Sequence, residues 1–133
     1  MASILKVDTL TGVTTAGSIS VTGEGNSTTT NLQQGLAKAW GHFEGSDATL
    51  DDSLNTASLT DNGSGNFSPQ YTSNMSNTNS ASASNGNWSS QVASNSGHKI
   101  SSFATTSCTV ITASNGSNAD VDDTTYTIFG DLA

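Results

Sequence analysis

Three side chains carry the reactivity that catalysis by a nucleophile and a base would need: His42, His98 and Cys108. Such chemistry requires a partly exposed thiolate beside an imidazole that a third group orients. Cys108 shares strand parity with Val110, which aims the thiol into a core. No orienting group and no Gly-x-Ser-x-Gly elbow accompanies it, so no enzyme is expected. The run Asn118-Ala119-Asp120-Val121-Asp122-Asp123 sets oxygen side chains at alternate positions, as a hard cation such as calcium prefers. It lacks the loop glycine and distant bidentate glutamate of an EF-hand, and a solvated acidic stretch that discourages edge pairing is the other reading. Copies of His42 or His98 meeting on a threefold axis would make a transition-metal set, whereas single histidines commonly serve ordinary hydrogen bonds. The sequence alone therefore leads us to expect no metal and no cofactor.

Two aromatic residues suit contact with a glycan. Tyr71 and Trp88 sit among Ser and Asn, where a flat ring stacks on a sugar face while the small polar side chains exchange hydrogen bonds with its hydroxyls. Each ring would otherwise cap a thin hydrophobic layer.

The elements that must position these residues are mostly strands. Ser3–Val7 and Gly17–Thr22 read as two short extended pieces around a turn, a hairpin that is marginal by itself. Residues 31–38 are the one helical candidate, with Leu32 and Leu36 four apart and Gly35 weakening it. That pair is either a small core contact or a short seam where copies of the chain meet. From residue 38 onward the pattern is β. Ala39–Phe43 alternates, Asn62-Gly63 supplies hairpin geometry between Leu59 and Phe67, and Tyr126, Ile128 and Phe129 close the chain. Residues 73–97 are nearly all Ser, Asn, Ala and Gly, and read as long loops between thin strands.

Composition narrows the partners. The 133 residues include 23 Ser, 20 Thr and 13 Asn, over two-fifths of the chain, against 32% hydrophobic types. With no Arg, three Lys and a net charge of −8, there is no basic footprint for phosphates, so no nucleic acid is expected. No run nears the roughly 18 to 20 apolar residues of a membrane span, and Met1–Val7 lacks the regions of a signal peptide. One cysteine permits neither an internal disulfide nor a zinc cluster of thiols. Six Asn-x-Ser/Thr triplets follow from composition alone and carry no meaning for glycosylation. So thin a core with no crosslink predicts an obligate oligomer whose strands share a core across chains.

The stretch Ala2-Ser3-Ile4-Leu5-Lys6-Val7-Asp8-Thr9-Leu10 resembles the start of fibre-type virion proteins of tailed bacteriophages, especially those of marine cyanobacteria. Residues 37–45 and 52–67, from Ala37-Lys38-Ala39-Trp40 to Gly65-Asn66-Phe67, resemble their distal β domains, as the closing strand at 125–129 does loosely. The resemblance implies an N-terminal segment fixed to the virion, a trimeric β domain, and loops that meet a host surface. On this reading Ile4, Leu5 and Val7 form the docking strand, and Leu32 and Leu36 the trimer contact. The expected fold is all-β: anchor strands over 1–30, a very short neck over 31–37, and an antiparallel β-sandwich or jelly-roll-like domain over 38–133. The expected function is a non-enzymatic virion structural protein, a short trimeric tail fibre or spike on the outside of the particle. Its partners are its own copies, other virion proteins and a host glycan, with no membrane insertion. Capsid decoration or a neck connector is the alternative task, and a free lectin-like β module is the reading from another class.

Overall fold

A computed structural model describes residues 4–12, 19–23, 28–86, 97–114 and 116–133. The chain divides into two compact units, 1–36 and 37–133. Both are built from antiparallel strands, and the molecule is all-β apart from one helical turn.

In the first unit, β1 (Ser20–Thr22) pairs with β2 (Thr29–Asn31), closed by a bond from the Gly23 amide to the Thr28 carbonyl. The extended piece around Ile19 and Val21 is therefore a strand, but its partner is 29–31 and not 3–7. Residues 4–12 are exposed and form no strand among the described residues. A lone extended segment has no ladder to satisfy its backbone, so its strand propensity goes unused. The predicted helix over 31–38 shrinks to α1 (Leu32–Gly35), which leaves Leu36 beyond its end and 53% exposed. Gly35 and the lack of any packed face explain the shortening, because two turns do not persist unsupported. The turn expected between the first two extended pieces lies largely outside the described residues.

The second unit holds two sheets. One runs β4 (Thr49–Leu54), β3 (Ala39–Glu44), β11 (Thr124–Phe129), β7 (Ala81–Gly86). The other runs β5 (Thr56–Asp61), β6 (Asn66–Tyr71), β9 (Cys108–Ser114), with β8 (Gly97–Phe103) and the short β10 (Ser117–Asn118) also paired to β9. Alternation dictates the inner faces. Ala39 and Phe43 on β3, Phe67 on β6, Val110 on β9 and Ile128 on β11 are all completely buried, while their sequence neighbours are not. The Phe43 and Phe67 rings, one from each sheet, meet at 5.0 Å and 56°. Tilted pairs of this kind add to their area burial.

Two devices shape the sheets. The hairpin expected at Asn62-Gly63 forms, but its positive φ angles fall on Gly63 and Gly65, at 109° and 63°, and not on Asn62. Asn55, at φ 55°, is the single residue by which the chain leaves β4 in one sheet and enters β5 in the other. Its Nδ2 donates to the Lys38 and Ser73 carbonyls, and its Oδ1 accepts from the Ser73 amide at 2.6 Å. Asparagine tolerates this left-handed conformation better than most residues.

The core is closed within one chain: nine clustered residues, Tyr71, Met75 and Cys108 among them, are at most 7% exposed. Paired aromatic rings and glycines at close approaches compact a small apolar set enough to fill the space between two sheets.

Candidate functional site

β3 presents Trp40, His42 and Glu44 on the face opposite its buried residues. In the antiparallel ladder His42 stands opposite Thr125 of β11 and Asp52 of β4. The register of β3 and β4 shifts between His42 and Phe43, so Asp51 is the extra residue of a bulge. Bulges re-aim side chains, and this one brings the Asp51 carboxylate to 3.6 Å from His42 Nδ1. On the other side of the ring, Asp123 Oδ1 lies 3.3 Å from His42 Nε2.

The segment before β11 is pinned for this purpose. The Gly45 amide donates to the Val121 carbonyl, and a Cβ on Gly45 would fall 2.5 Å from that oxygen, so only glycine allows the approach. Thr124 Oγ1 donates to the Val121 carbonyl, the Ser46 amide donates to Asp122, and the Asp123 amide donates to Glu44 Oε2. Asp123 itself holds φ 51°, a conformation uncommon outside glycine. Hydrogen bonds from the Ser46 side chain and amide hold the Asp122 carboxyl below its usual value. One donor atom each from His42, Glu44 and Asp123 lies within 4.8 Å of the others.

The acidic run at 118–123 does not converge on itself. Asp120 accepts from the Gly65 amide at 2.7 Å, Asp122 serves Ser46, and Asp123 faces His42. His98, on β8, is remote from this cluster in the topology: its strand belongs to the other sheet. Its Nδ1 is buried with no hydrogen-bond partner among the described residues, and burial lowers its pKa.

Tyr71 is a correction. It is 7% exposed and packs in the core, so its ring offers no face to a glycan. Tyr71 takes the inward parity of β6 together with Phe67 and Pro69, which overrides its polar sequence neighbours. Burial pushes its hydroxyl far above the normal phenol range, with the adjacent Cys108 adding to the shift. Cys108 is 2% exposed, and burial pushes its thiol up to about 11, partly offset by a hydrogen bond with Tyr71. Trp88 lies outside the described residues. Leu32 is half-buried in the first unit, and Ile4, Leu5 and Val7 are 78%, 81% and 56% exposed.

Sequence reasoning missed Glu44, Asp51 and the meeting of His42 with Asp123. Alternation along Ala39–Glu44 was the available signal, since it puts His42 and Glu44 two apart on one outward face. No protein-family model, curated protein or solved structure matches the chain.

Proposed function

We propose that the chain is a non-enzymatic structural protein of a bacteriophage particle. It is a short trimeric fibre or spike that attaches through its N-terminal segment and turns a sandwich-like β domain outward, toward a host-surface glycan. One observation carries this reading: Ile4, Leu5, Val7 and Leu10 are each more than half exposed in a segment with no strand partner among the described residues. Exposed apolar residues concentrated in a short stretch mark a docking surface, and an unpaired extended segment is suited to adding a strand to a partner's sheet edge. The 37–133 unit has a core built from its own residues, from Ala39 to Ile128. Many copies on one particle would bind weakly and gain avidity from effective concentration.

Removal of residues 4–10 tests the reading. Particles made with the shortened chain are expected to lack it, while the purified shortened chain keeps its thermal midpoint and a native mass of three copies of itself, as the full 13.5 kDa chain does. Shortened protein retained on particles at the normal copy number overturns the attachment role, and a monomeric native mass overturns the trimer.

A further inference from the structure

We propose that His42, Glu44 and Asp123 bind a divalent transition cation of the zinc class, with Asp51 orienting the imidazole from its other nitrogen. This site is independent of the virion role.

The imidazole is the starting point. Both of its nitrogens face carboxylate oxygens, Asp51 at 3.6 Å and Asp123 at 3.3 Å. Two carboxylates facing one ring call for positive charge at it, which a proton on each nitrogen or a cation on one of them supplies. Glu44 then supplies a third donor, with all three atoms within 4.8 Å of one another. β3, β4 and residues 121–123 carry Glu44, Asp51, Asp52, Asp122 and Asp123 against the one imidazole of His42 and no Lys or Arg.

The spacing of the His42–Asp123 pair fits a shared ion. Two donors bound to one cation at 2.0–2.2 Å sit about 2.8 to 3.6 Å apart in octahedral or tetrahedral arrangements, and His42 Nε2 and Asp123 Oδ1 are 3.3 Å apart. Asp51 on Nδ1 reproduces the carboxylate–histidine–metal relay that fixes tautomer and ring orientation in metal sites. A nitrogen donor beside two carboxylates suits zinc or a neighbouring first-row ion, whereas calcium and magnesium prefer oxygen alone. The half-exposed position of His42 and Asp123 leaves room for water to complete the coordination. The donors come from β3 and from the segment before β11, so one ion would join these two stretches directly and β4 through the Asp51–His42 contact.

The test is calorimetric titration of the full chain, freed of metal by a chelator, with zinc, calcium and magnesium salts, alongside imidazole NMR. One zinc ion per chain is expected, with calcium and magnesium weaker by about ten-fold or more. His42→Ala, Glu44→Gln and Asp123→Asn should each weaken zinc by about ten-fold or more, and His98→Ala should leave it unchanged. Zinc should shift the His42 ring resonances and not those of His98, a readout that needs no variant to fold. Absence of saturable zinc binding, calcium binding as tight as zinc, or zinc binding unaffected by the His42 substitution overturns the proposal.

Discussion

Tyr126 lies across Gly41, its register partner on the neighbouring strand. A Cβ on Gly41 would fall 2.6 Å from Tyr126 Cε1 and 2.9 Å from its hydroxyl oxygen, so the glycine is the space the phenol occupies. The same hydroxyl is 2.5 Å from Thr56 Oγ1 on β5, which ties the two sheets together. Burial drives the Tyr126 hydroxyl far above the normal phenol range, which keeps it protonated and able to donate. Gly41→Ala should therefore displace a buried ring and break the tie. The expected cost is about 2 kcal/mol from overpacking. That corresponds to a fall in thermal midpoint on the order of 10 °C for a domain of this size. In a double-mutant cycle with Tyr126→Leu the two costs should add to less than their sum, because the shorter side chain vacates the contested space. Strict additivity would show that the two residues do not compete.

Much of this arrangement was legible in the sequence, and the residues show why the rest was not. Ala39–Phe43, the Asn62-Gly63 hairpin and Tyr126–Ile128 were readable because the signal is local: a period of two, or a turn that demands positive φ. β7 was not, since Ala81-Ser82-Ala83-Ser84-Asn85-Gly86 has no apolar alternation. It is a strand because all six residues pair with β11, a tertiary fact. Tyr71 was misplaced because its polar neighbours outweighed its parity with Phe67. His42 and Asp123 lie 81 residues apart, and only the β3–β11 register brings them together. Ala104 has the sequence parity of Cys108 and Val110, yet it is exposed in the turn between β8 and β9, where its amide donates to the Ser107 carbonyl.

His98 makes stability depend on acid. Burial lowers its pKa below the ordinary 6.5, so the folded state binds a proton less readily than the unfolded chain. Above 6.5 both states hold a neutral ring and the residue adds no pH dependence. As pH falls below 6.5 the unfolded chain takes up the proton first, and stability drops until the folded ring titrates at its lowered value. Asp122, whose pKa lies below 3.8, responds in a lower range and leaves this window separable. Urea midpoints measured between pH 7.5 and pH 5 should decline for the native chain, and His98→Gln should flatten the decline. An equal decline in the variant would assign it to other groups.

Asp120 and Gly65 separate the structural acid from the proposed metal ligands. Gly65 holds φ 63°, and a Cβ there would collide with the Thr112 carbonyl and with the Ala119 backbone. Its amide donates to Asp120 Oδ1 at 2.7 Å, while the Thr112 amide donates to the Gly65 carbonyl at 2.9 Å. The tip of the β5–β6 hairpin is thus sewn to β9 and to the acidic segment by backbone that no larger residue can approach. Gly65→Ala combines positive φ with a backbone collision and is expected to cost about 3 kcal/mol. Asp120→Ala removes one charge-assisted bond and should cost about 1 to 2 kcal/mol. Neither residue touches His42, Glu44 or Asp123, so Asp120→Ala should lower the unfolding midpoint while leaving zinc affinity as it was. Asp123→Asn should do the reverse, because asparagine keeps the left-handed backbone and loses only the anionic donor. If Asp120→Ala abolished zinc binding in a folded chain, the acidic run would act as one cation loop, and the division of its carboxylates among Gly65, Ser46 and His42 would have no functional meaning.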